Sequence, residues 1–389
     1  MSTASSDQTE SAGGPQRPHR AGDISERKAR HLEICVDSES YSVETQRSYF
    51  SGVRFLHRSL PEIDAASVDT RLQFLGNEIA LPLLISCMTG GSAEGNLVNM
   101  RLAEAAERAR VPVGMGSIRI LFRDESYFDQ FHMKPHAPNV PILANLSAVQ
   151  IREIGHPRII EILKRLEVQA LAIHLNAAQE LFQPDGDRDF HGLKEAVAHF
   201  CEDSPIPVIV KETGFGIRPS EVRFLLDAGA AYVDLAGAGG TNWVRVESYR
   251  VPGAQAQVAR EFDDWGIPTA LILASLRSGA LAPGVGYEGR IIASGGLRTG
   301  SDVAKAIALG AGLAGMALPF ARAVYSGGVE AALEEIAKID LSLRTAMLLT
   351  GSPTLAKLRA QRLIIDPEFQ AAADALTAAD SDTMANSHV

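Results

Sequence analysis

The chain has 389 residues, 46% of them hydrophobic, which suits one large α/β domain with tails or two smaller domains. Its formal net charge of −10 argues against nucleic acid or an anionic membrane as the main partner, although a few local Lys and Arg can still hold an anionic ligand in a pocket. The three cysteines, Cys35, Cys87 and Cys201, form no CxxC pair, so neither a disulfide framework nor a zinc cluster is expected, and a cytoplasmic location fits best.

Residues 1–22 are rich in Ser, Gly, Thr and Gln and read as a disordered tail without the apolar core of a secretory signal. No stretch approaches the roughly 18 consecutive apolar residues of a membrane span. Residues 23–80 read as an N-terminal extension. Within it, 25–35 predicts a short helix carrying Arg27, Lys28, Arg30 and His31, and the stretch after this helix is expected to cover the bottom or the side of the next domain.

From 81 to 350, short β-branched apolar runs alternate with helical patterns. The runs fall at 81–88, 112–116, 140–146, 170–176, 207–212, 232–237, 290–294 and 313–318, and they read as parallel strands buried on both faces. Residues 94–110 carry a helix pattern. Pro219 opens another helix that Gly229 ends, and Thr299 or Ser301 caps a third that Gly310 closes. Eight strands alternating with helices over about 250 residues is the count of a (β/α)8 TIM barrel; an open doubly wound sheet is the competing reading. Residues 351–389 read as a helical segment and a tail, fraying from about Phe369.

In a barrel, chemistry sits at the C-terminal ends of strands, and polar groups recur there. They are Met88 to Gly91, Ser117 and Arg119, Asn145, then His174, Asn176, Gln179 and Glu180. Lys211, Glu212 and Thr241 come on later strands. The Gly295–Gly296–Leu297–Arg298 loop and the Gly315–Met316–Ala317–Leu318 stretch fall after the last two strands, the usual phosphate site of this fold. Lys211 ends an apolar strand, and it either pairs with Glu212 or Asp234 or faces an electron-rich ligand. His174 and Asn176 point the same way, being two apart on a strand. Glu180 is either a solvated charge or a Mg2+ ligand, an ion that often takes one or two protein carboxylates. Arg27, Lys28 and His31 form either a basic helix face or a clamp for a diphosphate.

These residues stand in motifs. RKARH begins at Arg27, MTGG at Met88, ANL at Ala144, HLNAAQE at His174 and QPDGDRDF at Gln183. KETGFGI at Lys211, AGAGGTNW at Ala236, ASGGLRTGSDVAKAIALGA at Ala293 and GMALP at Gly315 complete a colinear set over roughly residues 25–350. The set resembles type 2 isopentenyl-diphosphate isomerase. The resemblance implies an FMN-binding barrel that interconverts isopentenyl and dimethylallyl diphosphate by an allylic 1,3-proton shift. It implies reduced FMN, Mg2+, and NADPH or NADH as reductant, in a homo-oligomer of four or eight chains.

By motif, the resemblance implies FMN contacts from Met88, Thr89, Gly90, Ser117, Asn145 and Lys211. Thr241, Gly295, Gly296, Leu297, Arg298, Ala317 and Leu318 join them. It implies a diphosphate held by Arg27, Lys28, Ser117, Arg119, His174 and Asn176, with Gln179 near the hydrocarbon end and Glu180 on Mg2+. Gln179, His174 and Lys211 are the implied catalytic residues. The chain departs from the family pattern at Ile118, where Gln is usual, and at Ser147, where Gly is usual. Three other readings compete. A flavin α-hydroxy-acid oxidase needs a His base and a carboxylate-binding Arg. An inosine-monophosphate-dehydrogenase-like barrel needs a nucleophilic Cys on a loop. A non-catalytic phosphate-binding barrel would show damage at Gln179, Glu180 or Lys211.

Overall fold

In the computed structural model, residues 21–386 are described, apart from 47 and 279–285. Most of the expected N-terminal tail, residues 1–20, lies outside the described residues. The eight apolar runs form eight parallel strands: β1 Leu83–Ile85, β2 Val113–Ser117, β3 Ile142–Ser147 and β4 Ala170–Leu175, then β5 Val208–Glu212, β6 Tyr232–Asp234, β7 Ile291–Ala293 and β8 Leu313–Met316. They pair in order and close, β8 beside β1, so the open-sheet alternative is excluded. Alternate side chains of these strands, Leu84, Leu143, Ile209, Ile292 and Leu313 among them, fill one buried cluster in the ring.

The two ends of the ring are closed differently, both by the segment before β1. Strands Leu72–Phe74 and Asn77–Ile79 form an antiparallel hairpin whose Phe74 and Ile79 join the cluster inside the ring and plug its N-terminal end. Helix α1, Ala21–Val36, crosses the opposite end. It starts earlier than the sequence pattern predicts. Ile34 and Cys35 of α1 pack with Val43, Val246 and Leu318 in an apolar cluster that holds the helix down. The chain after it is tied on as well: Asn242 N donates to Val43 O at 2.8 Å, and Asn242 Nδ2 to Thr45 Oγ1 at 3.1 Å.

Local signals set the outer helices. Thr299 and Asp302 make a reciprocal capping box at Gly300–Ala308, as expected from Thr299. The C-terminal segment corrects an expectation. Its Ala- and Asp-rich composition suggested fraying from Phe369, yet it forms helix Pro367–Asn386, with Phe369 and Ala373 buried. Asp380 on that helix accepts from Ser220 N at 2.8 Å and from Ser220 Oγ, capping helix Pro219–Asp227 from outside its own sequence. Phe369 supplies the apolar contact that a polar-looking sequence concealed.

Candidate active site

The strand ends and α1 enclose a cavity of about 1590 Å3, counted to its open mouth. Most of the residues singled out in the sequence line it, from Met88 and Thr89 on β1 to Ala317 and Leu318 after β8. Two do not. Leu297 is fully buried in the hydrophobic core, and Gly90 sits against Asn99 and Phe131 behind the wall. Ile118 is also fully buried in the core and does not line the cavity.

The wall made by β7, β8 and β1 suits an anionic flavin cofactor. Gly295 has φ +94°, and a Cβ there would lie 2.0 Å from Gly237 O, so this loop closes on β6 only as glycine. Thr269 Oγ1 holds the loop by donating to Ser294 O at 2.7 Å and Gly295 O at 2.8 Å. Across from it, helix Leu318–Leu349 begins at the cavity with Pro319 in its first turn, exposing its N-terminal end. Arg298 reaches the cavity while paired to Glu44, which also lies 3.8 Å from Arg322. On β1, the hydroxyls of Ser86 and Thr89 are buried without partners, although both residues line the cavity. Buried hydroxyls normally find partners. These two are enclosed by protein, and the features of this wall that fit the phosphate of FMN are the Gly295–Gly296 loop, Arg298 and the N-terminal end of helix Leu318–Leu349.

Lys211 projects from β5 and donates to Glu212 O at 2.6 Å. No carboxylate lies within ion-pair distance of its ammonium among the described residues, although its charge lowers the pKa of both Glu212 and Asp234 through space. Glu212 instead accepts from the backbone of Gly214, Phe215 and Gly216, and Asp234 accepts from Ser294 Oγ. Burial raises the pKa of both acids.

The wall facing α1 is cationic. Arg27, Lys28 and Arg119 line the cavity together, and Lys28 Nζ donates to Ser117 O at 2.9 Å while lying over the Phe131 ring. Burial, then the charges of Arg27 and Arg119, push the Lys28 ammonium down to about 7. His174 Nδ1 bonds Asn145 Oδ1 at 2.6 Å across β3 and β4. Burial, then Lys211, Lys28 and Arg119, push its imidazole down to about 3, so it is neutral at physiological pH.

Glu180 lies on helix Ala177–Phe182, fixed by donors on both oxygens: Asn176 Nδ2 at 2.9 Å on one, Asp187 N at 2.9 Å and Gln183 Nε2 at 3.3 Å on the other. Burial raises its pKa despite these donors. The DGDR turn folds beneath it; a Cβ at Gly186 would lie 2.0 Å from Glu180 O, and Arg188 Nη1 donates to that oxygen. No group of three or more metal-ligating acids, His or Cys occurs among the described residues, which leaves Glu180 as a single-carboxylate candidate.

Glu247, which no sequence pattern singles out, is the centre of the remaining wall. It is fully buried, and it accepts from His31 Nε2 at 2.8 Å, from Arg250 Nη1 and from Gln179 Nε2 at 3.2 Å. Burial opposes its charge, but His31, Arg250 and Gln179 hold its pKa below the ordinary carboxylate value. His31 also stands edge-on to Trp243, with ring centroids 5.3 Å apart. Thus α1 joins the barrel through a charge network as well as through apolar packing.

Comparison with known proteins agrees with this geometry. The FMN-dependent dehydrogenase family model matches residues 24–121 and 161–365. Isopentenyl-diphosphate delta-isomerase of Borreliella afzelii is 41% identical over 336 residues, covering 86% of this chain and 92% of that protein. The proteins of that name from Nostoc sp. and Paracoccus zeaxanthinifaciens are each 40% identical and cover 86% of this chain, with 93% and 95% of their own lengths matched. Among solved structures, a flavocytochrome b2 variant with sulfite bound superposes with TM-score 0.65 at 18% identity, covering 90% of this chain and 86% of its own. A lactate oxidase of Pediococcus acidilactici gives TM-score 0.62 at 16% identity, with 89% and 94% covered. Those two share the fold. With a family model over most of the chain and relatives at this identity over nearly their whole length, the chain belongs to the isopentenyl-diphosphate delta-isomerases, an isomerase family built on the FMN-dependent dehydrogenase barrel.

Proposed function

We propose that this protein interconverts isopentenyl diphosphate and dimethylallyl diphosphate by an allylic 1,3-proton shift, using reduced FMN and Mg2+. The observation that carries the reading is the meeting of two anion-binding walls in one cavity. One is the β7–β8 phosphate cradle, and the other, facing α1, is the cluster of Arg27, Lys28 and Arg119 beside Glu180.

Each residue has a task in this reading. Gly295, Gly296, Arg298, Ala317 and Leu318 hold the FMN phosphate, while Met88, Thr89, Ser117, Asn145 and Thr241 contact the rest of the cofactor. Lys211 places a cation against the flavin. When bound, reduced FMN supplies electron density and a proton-exchanging nitrogen beside the alkene, which no neutral side chain here provides. Arg27, Lys28 and Arg119 bind the diphosphate, with His174 and Asn176 presenting neutral polar groups to it. Glu180 holds Mg2+ with the help of waters and the diphosphate. Gln179, fixed by Glu247 and by Asn176 Nδ2 at 3.4 Å, orients the hydrocarbon end. Helix α1 excludes water from the charge that develops on protonating an alkene. An outside reductant, NADPH or NADH, prepares the flavin. A cytoplasmic homo-oligomer of four or eight chains belongs to the same reading, and among the described residues no helix is long and apolar enough to cross a membrane.

The α-hydroxy-acid oxidase alternative asks for a His base that accepts a proton near neutrality. His174, pushed to about 3 among cations, is a poor one. The test is anaerobic: protein reconstituted with FMN and Mg2+, reduced, and given isopentenyl diphosphate. Dimethylallyl diphosphate formed only with reduced flavin supports the reading. Tight FMN binding without product, with oxidation of a 2-hydroxy acid instead, rejects it.

A further inference from the structure

The segment after α1 reaches the phosphate cradle without lining the cavity. Its backbone is pinned to the loop after β6. Glu44 forms an antiparallel bridge with Thr241, Asn242 N donates to Val43 O at 2.8 Å, and Thr45 Oγ1 accepts from Asn242 Nδ2 and donates to Asp263 O at 2.5 Å. Side chains alternate along an extended segment, so Glu44 leaves the face that Val43 and Thr45 use. Its carboxylate ends at the loop after β7. Oε1 accepts from Arg298 Nη2, and Oε2 lies 3.8 Å from Arg322 Nη1. Arg322 Nε in turn donates to Cys35 O, in the last turn of α1, at 3.2 Å. The same segment backs the glycine loop, where a Cβ at Gly296 would lie 2.7 Å from Ser48 Cβ.

Arg298 lines the cavity with a long side chain that is a third exposed. Its Nη1 donates to Leu297 O at 2.5 Å and its Nη2 to Glu44. The first acceptor belongs to the loop itself; the second comes from a different part of the fold. A guanidinium carries five N–H groups, so both contacts leave donors for a phosphate oxygen. We infer that Glu44 is a positioning residue for the cofactor phosphate: it holds Arg298 in the orientation in which the β7–β8 cradle takes a phosphate monoester, and it brings that hold from the segment tied to α1. The inference rests on the placement of the FMN phosphate at this cradle and adds one residue to it. Two effects of Glu44 oppose each other. Its charge repels a phosphate, while its hydrogen bond removes rotamer freedom from Arg298 before the phosphate arrives. Both side chains are a third exposed, so water and salt screen the repulsion, and the ordering of Arg298 outweighs it.

The experiment measures, by flavin fluorescence, the Kd of FMN and of riboflavin, the same ring system without the phosphate. Glu44→Ala removes the acceptor, and its FMN Kd is expected to rise about fivefold, the scale of one hydrogen bond. Its riboflavin Kd is expected to stay at the wild-type value, which a general loosening of the fold would not allow. Glu44→Gln keeps an acceptor oxygen for Arg298 and removes the charge, so it is expected to bind FMN within about twofold of wild type. In an Arg298→Ala background, Glu44→Ala is expected to add no further loss. Equal FMN affinity in wild type and Glu44→Ala overturns the inference, as do parallel losses for FMN and riboflavin. A loss in Glu44→Gln as large as in Glu44→Ala overturns it too, because the hydrogen bond would not be what acts. Tighter FMN binding in both variants would make Glu44 a repelling charge and reject the positioning role. Wild-type protein that binds riboflavin as tightly as FMN overturns the phosphate cradle itself, and this inference with it.

Discussion

Glu247 Oε1 accepts the amide proton of Gln179 Nε2 at 3.2 Å, although the two residues are 68 positions apart and on helices after different strands. The same carboxylate accepts from His31 and Arg250. One fully buried acid therefore sets the orientation of Gln179 and anchors α1, so the mouth helix and the hydrocarbon end of the site are mechanically coupled.

Glu247→Gln tests that coupling. The amide cannot match the charge of Arg250, and removing one partner of a buried ion pair costs about 3 kcal/mol or more. We expect a lowered Tm and a fall in kcat of at least tenfold, with FMN affinity retained, measured by thermal unfolding and steady-state assay of the reconstituted protein. Unchanged kcat would separate Gln179 from Glu247 functionally.

Substrate affinity is expected to depend on pH through Lys28. Its ammonium sits at about 7 in the free protein, so it is mostly charged below that pH and mostly neutral above it. A diphosphate binds the charged form and raises this pKa, so a proton is taken up on binding at pH values above about 7. Pyrophosphate Kd should therefore rise as pH increases from about 6 to about 9, and Lys28→Ala should weaken binding at the acid end and flatten the profile. Calorimetry in buffers of different ionisation enthalpy reads the proton uptake directly; none at about pH 8 would place Lys28 away from the anion.

Glu180→Gln keeps the size of the side chain and an acceptor for the donors on one of its two oxygens, and removes the charge that attracts a cation. The Mg2+ concentration for half-maximal activity should rise at least tenfold, with flavin still bound. Loss of flavin in this variant would count against the placement of the metal.

At the phosphate cradle, Gly295→Ala puts a Cβ 2.0 Å from Gly237 O at a φ of +94°. The loop must move to accept it. FMN affinity is expected to fall by at least a hundredfold, seen as protein purified without yellow colour, and full flavin occupancy would reject the cradle.

Ser220→Ala removes one of the two donors to Asp380 and should lower stability by about 1 kcal/mol. Because neither residue lines the cavity, kcat should stay at the wild-type value; denaturant unfolding and the standard assay report the two quantities.

The barrel was legible because a strand buried on both faces must be an unbroken apolar run, and eight such runs, from Leu83 to Met316, carry that signature. The site was legible wherever a polar residue interrupts such a run, as at Asn145, His174 and Lys211. Glu247 was not legible: within VESYR it has the spacing of an ordinary helical carboxylate, and its partners His31 and Gln179 come from segments far away in sequence. Ile118 stood out between Ser117 and Arg119 as a departure from the family pattern. Its side chain in fact faces the core, and single-sequence reading has no access to that direction. Asp380 failed for the opposite reason, since an Ala- and Asp-rich stretch looks solvated until Phe369 is found packed beneath it.

Helix α1 is synthesised before every strand of the ring it covers, yet it rests on Trp243, Val246 and Leu318, which emerge more than 200 residues later. Lys28 meets Ser117 and Phe131 early, but the contacts of His31 with Glu247 and Trp243, and of Ile34 and Cys35 with Val246 and Leu318, wait for the segments after β6 and β8. Birth order and completion order thus differ: a helix made before the ring has its full set of contacts only after β8. A nascent or partly folded chain has an open bowl where the finished protein has a lidded chamber, and water leaves the chamber only when the two extremes of the barrel's sequence have met.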